Sequence, residues 1–67
     1  MNAEGIQAAI IQLQDEIFHS TLAANEGDAR KIIAVAESMP ILFGQYYFVM
    51  CPITSGQVWI EATRKGE

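Results

Sequence analysis

Residues able to carry chemistry are scarce in this chain. Cys51 is the one cysteine and His19 the one histidine. An intrachain disulfide is therefore impossible, and a zinc site could draw on only these two of its usual Cys and His ligands. A Cys–His nucleophile would also need an orienting group and an oxyanion donor, and the spacing supplies neither. Cys51 lies in an apolar strand-like run, where free cysteine behaves as a small hydrophobe. The four basic residues fall in two pairs, Arg30 with Lys31 and Arg64 with Lys65. That leaves no basic stripe, so no nucleic-acid partner is expected. Gly27 and Gly44 are isolated and form no phosphate loop. Asp15 and Glu16 are adjacent, which on a helix points them about 100° apart and not together as a dyad.

Long hydrophobic runs are missing too. Residues 41–53 form the longest candidate, but a bilayer span needs about 18–20 apolar residues, and this run contains Gly44, Gln45 and Pro52. No membrane association is expected. Residues 1–13 are amphipathic and lack a basic leader region, so no signal peptide is expected and the location is taken as cytoplasmic. A lone thiol is compatible with a reducing compartment.

What is present is apolar. The 67 residues are 51% hydrophobic and 18% charged, with a net charge of −4. This is the composition of one folded domain and not of a disordered tail. A chain this short buries about 60% of the surface its unfolded form exposes. Its core supplies only about 3–5 kcal/mol, so small folds usually need a staple. With disulfide and zinc set aside, self-association is the staple that remains. The eight acidic residues are scattered and support DNA mimicry only weakly.

The first half reads as two helices. Ala3, Ile6, Ile10, Leu13 and Ile17 recur every three or four positions, Ile11 and Phe18 widen the stripe, and Asn2 can cap the start. The reading is a helix over residues 3–22, softened near its end by His19, Ser20 and Thr21. A second helix is expected over residues 27–39. Asn25 or Gly27 can cap it, Ala29, Ile32, Ile33, Ala36 and Met39 keep the helical period, and Pro40 stops it. Glu26 and Asp28 already place negative charge at its start, so Arg30 and Lys31 are expected to face solvent and not to hold an anion. The pair should pack as an antiparallel helical hairpin.

From Ile41 the period changes to two. Aromatic and β-branched residues dominate residues 42–51, then residues 57–63 alternate after a turn containing Gly56. The expected fold is α+β, in the order α-α-β-β, with the helical hairpin packed on a two-stranded antiparallel β-hairpin. One face, with Leu42, Tyr46, Phe48, Met50, Val58 and Ile60, should meet the helices. The other, with Phe43, Tyr47, Val49 and Trp59, is left for a partner, Trp59 being a possible cross-strand neighbour of Tyr47. A two-stranded sheet is marginal alone and has unpaired edges, so a homo-oligomer, most simply a dimer, should complete it.

Function is expected to follow from that surface. The leading reading is a noncatalytic protein-interaction module with no cofactor and no metal. In size, acidity and cysteine content the chain resembles phage- or prophage-encoded accessory proteins in type, though in no motif, which implies a stoichiometric inhibitor or adaptor. The alternative is an oligomer that sequesters a nucleotide-like ligand, stacking it on Tyr46, Tyr47 or Trp59 and reaching its anionic group with Arg30 or Arg64.

Overall fold

In the computed structural model, which describes residues 2–15, 17 and 19–66, the chain starts with helix α1 (Ala3–Leu13). The Asn2 side chain accepts a hydrogen bond from the Gly5 amide at 2.8 Å, satisfying one of the free donors of the first turn. Ile10 and Leu13 are buried and Ile6 packs beside them, as the helical period predicts.

Beyond Leu13 the chain departs from the expected helix over residues 3–22. Asp15 accepts the Ile17 amide on its side chain at 2.8 Å and the His19 amide on its carbonyl, closing a turn. His19 has φ 49, a left-handed conformation that directs the chain away from the helix. Ile17, read as part of the helical stripe, is 81% exposed. Glu16 and Phe18 fall outside the described residues. Ser20 to Ala23 then form a strand, β1 (Ser20–Ala23). Thr21 and Ala23 point inward and are buried. The Thr21 hydroxyl donates to Gln12 Oε1 at 2.5 Å, tying β1 to the last turn of α1.

Helix α2 (Glu26–Glu37) follows, close to its expected range. Asn25 is the cap, its side chain accepting from the Asp28 amide at 2.8 Å. Ala29, Ile32 and Ala36 are fully buried, and the two alanines let the helix backbone approach its neighbours closely. Because β1 intervenes, α1 and α2 are not joined as a helical hairpin, although they do touch.

Pro40 does stop α2, yet it also opens a single helical turn, α3 (Pro40–Phe43). Proline suits a first helical position, where its missing donor costs nothing. This turn corrects the strand expected over residues 42–51. A helical advance of about 100° per residue, not the strand's 180°, sets the directions of Leu42 and Phe43. Phe43, expected on the partner face, is buried, its ring edge-on to Phe48 at 5.6 Å. Leu42, expected in the core, is 45% exposed. Gly44 ends the turn, its amide donating to the Pro40 carbonyl at 2.8 Å. A Cβ there would lie 2.4 Å from that carbonyl oxygen, so the position needs glycine.

The β-hairpin comprises β2 (Tyr46–Pro52) and β3 (Val58–Arg64), paired antiparallel with Met50 opposite Ile60 and Cys51 opposite Trp59. Gly56, at φ 85, supplies the left-handed residue of the connecting turn. Strand β1 pairs antiparallel with the free side of β3, so the sheet has three strands in the order β1-β3-β2. The helices cover one face. On that side Val58, Ile60 and Ala62 are buried, while Tyr46, Phe48 and Met50 pack against the core but are only partly covered.

Candidate functional site

Because side chains alternate along each strand, the uncovered face of the sheet gathers residues from all three strands. In β3 these are Trp59, Glu61 and Thr63, and in β2 they are Tyr47, Val49 and Cys51. The additional strand contributes Ser20 and Leu22. Register places Leu22, Trp59 and Cys51 in one row across the sheet, then Ser20, Glu61 and Val49, then Thr63 and Tyr47. Trp59 therefore sits between Leu22 and Cys51, and Thr63 is the cross-strand neighbour of Tyr47.

Of the four residues read from the sequence as partner-facing, this face holds Tyr47, Val49 and Trp59 and excludes Phe43. Their exposures are 47%, 38% and 37%, and Leu22 adds 42%. Leu22 falls within the helix expected over residues 3–22, and only strand β1 brings it to this face. Ser20-Thr21-Leu22-Ala23 reads polar-polar-apolar-apolar, with no period-two alternation to mark it as a strand.

The indole Nε1 of Trp59 donates to Glu61 Oε1 at 3.2 Å on the same strand. That bond satisfies the one polar atom of the ring and leaves its apolar surface available. Glu61 is the only ionisable carboxylate among the strand residues of this face. The result is an aromatic and aliphatic surface with a single acidic group near its centre, the composition that makes Trp and Tyr effective contact residues.

Beside Trp59 lies an open hollow of about 390 Å³ lined by Gln12, Asp15, Ser20, Thr21, Leu22 and Trp59. Among the described residues its lining includes Asp15 and no basic side chain. Arg30 is elsewhere, paired with Glu26 at 2.8 Å on the exposed side of α2. Tyr46 lies on the helix-covered face, its ring 5.5 Å from that of His19.

No protein-family model, no curated protein and no solved structure matches the chain. His19 and Cys51 lie on opposite faces of the sheet: His19 stacks on Tyr46 on the helix side and has Nδ1 3.3 Å from the Leu13 carbonyl, whereas Cys51 is exposed on the open side. They do not form a pair. Among the described residues, no three His, Cys, Asp or Glu side chains gather as a metal ion would require, and no helix is long and apolar enough to cross a membrane.

Proposed function

We propose that the chain is a noncatalytic protein-interaction module that works as a homo-oligomer and engages a protein partner through the open face of its sheet. The observation that carries this reading is the row Leu22, Trp59 and Cys51 beside Tyr47 and Val49, an apolar surface built by three strands and left uncovered. Exposed apolar patches of this kind mark interaction sites. Trp59 is the expected anchor, with Tyr47 and Leu22 around it. Occupying a surface on another protein is the mode of a stoichiometric inhibitor or adaptor, and it needs no catalytic group.

The test is affinity recovery from the native lysate with the wild-type chain and with Trp59→Lys, each first shown to be folded by circular dichroism. One protein recovered in near-stoichiometric amount by the wild type and lost with Trp59→Lys supports the reading. Recovery indifferent to Trp59 removes it. The alternative, a nucleotide-sequestering oligomer, has the hollow beside Trp59 in its favour and Asp15 in that hollow against it, since the carboxylate repels a phosphate. Saturable quenching of Trp59 fluorescence by nucleotides would favour that alternative.

A further inference from the structure

Strand β2 is the least satisfied element of the fold, and the hydrogen-bond phase shows where. The Ile53 amide donates to Gln57 and the Lys65 amide to Gln45, at the two ends of the β2–β3 ladder. In an antiparallel pair the bonded positions alternate. Tyr47, Val49 and Cys51 therefore direct their backbone groups toward β3. Tyr46, Phe48 and Met50 direct theirs outward, along an edge that no other strand covers among the described residues.

Two observations set this edge apart from that of β1, its length and its incomplete cover, and a third, its lack of charge, it shares with the four residues of β1. It is longer, seven residues against four. It is uncharged: no Asp, Glu, Lys, Arg or His occurs in residues 38–60, although the chain carries a net charge of −4. Edge strands are normally guarded by lysine, proline, a bulge or short length. Here the only such guard is Pro52, at the very end of β2. Finally, the side chains of Tyr46, Phe48 and Met50 are only partly covered by the helix layer.

We propose that β2 pairs antiparallel with β2 of a second copy about a two-fold axis at Phe48, joining two three-stranded sheets into one. This assignment rests on the self-association half of the proposed function and says which surface carries it. Phe48 is the middle of the three outward-directed residues, so centring the axis there opposes Phe48 to Phe48 and Tyr46 to Met50. Every outward amide and carbonyl of the three then finds a partner, and Pro52 falls outside the pairing. A slip of two residues would strand groups at one end.

The axis stands perpendicular to the sheet, so the helices of both copies lie on the same side. Tyr46, Phe48 and Met50 of the two copies meet there and complete one another's cover. On the open side Tyr47 comes opposite Val49, and the two partner-binding faces become continuous. Charge also permits a second copy at this edge. The hollow at the Tyr46 end is lined by Lys65 and Glu37, and the hollow at the Met50 end by Glu26. Antiparallel pairing brings Lys65 of one copy toward the end that bears Glu26 in the other. A chain with eight acidic and four basic residues approaches its own copy most easily along such an edge.

Sedimentation velocity over a concentration series of the full chain should show a dimer. Met50→Pro removes an outward amide without touching the ladder to β3, and it should yield a folded monomer. Trp59→Lys, central on the open face and away from the edge, should remain a dimer even where it loses a captured protein. Hydrogen exchange on the wild type needs no variant and decides the matter if Met50→Pro fails to fold. The Phe48 and Met50 amides should be protected at high concentration and exchange freely on dilution, while Tyr47 and Val49, bonded to β3, stay protected throughout. A strict monomer at high micromolar concentration overturns both the edge assignment and self-association. A dimer with freely exchanging Phe48 and Met50 amides, lost in Trp59→Lys and kept in Met50→Pro, overturns the edge alone.

Discussion

Strands β2 and β3 are neighbours of equal length, and they differ in a way that composition alone would reverse. Strand β2, YYFVMCP, carries no charge; β3, VWIEATR, carries two charged residues. Yet β3 is the buried strand. Its inward residues Val58, Ile60 and Ala62 are 3%, 0% and 9% exposed, whereas the inward residues of β2 are half-buried and its outward ones exposed. Position in the sheet causes this. The central strand has a neighbour on each side and the helix layer above it, while an edge strand has one neighbour and a partial roof. The lesson is that surplus hydrophobicity on an edge marks a surface awaiting cover, and that a central strand can carry charge on its open side.

The sharpest way to break this comparison is at the cross-strand pair Met50 and Ile60. Ile60→Ala should cost about 2–5 kcal/mol in urea unfolding, the range for deleting a fully buried aliphatic side chain. For a domain of this size that leaves little or no folded protein. Met50→Ala should cost roughly half as much or less in dilute solution, in proportion to its smaller burial. The Met50 cost should grow with protein concentration if β2 is covered by a second copy, since cover adds burial. Equal costs at the two sites would mean that edge and centre are not energetically distinct.

A smaller effect is expected at the turn joining the two strands. Gly56→Ala places a Cβ on a residue at φ 85, in open space but in a conformation that costs an L-residue about 1–2 kcal/mol. Thermal unfolding should register the loss. Weaker again is Thr21→Val, which removes the hydroxyl bond to Gln12 and should cost about 1 kcal/mol. Its main consequence should be faster hydrogen exchange in β1 than in β3. The least effect on stability is expected for Tyr47→Lys on the open face, within about 0.5 kcal/mol. Any larger change would show that Tyr47 supports the fold itself and not only the surface.

Much of this architecture is legible in residues 25–40 and 46–63. Asn25 and Pro40 bound α2 because capping and proline geometry are local effects. Alternation from Tyr46 onward separates the inward from the outward residues of the hairpin, because side-chain direction follows parity once a strand is given. Tyr47, Val49 and Trp59 could be assigned to one face on that ground. Phe43 could not. It precedes the strand by three residues, and whether that stretch continues as β or closes a turn depends on the Pro40–Gly44 contact and on the space Phe43 fills beside Phe48. Leu22 is illegible for a related reason: four residues of modest β-propensity become a strand only because β3 offers them a free edge.

The sequence by itself determined the α+β composition, the capped second helix, the hairpin and the shortage of catalytic and metal-ligating groups. Each follows from local propensity, periodicity or simple counting. Only the tertiary structure decided that β1 exists, that β3 and not the more apolar β2 is central, and that Phe43 is core while Leu22 is surface. Those outcomes depend on pairing between residues far apart in the chain. Ser20 meets Glu61 and Ala23 meets Val58, and no local window contains both members of such a pair.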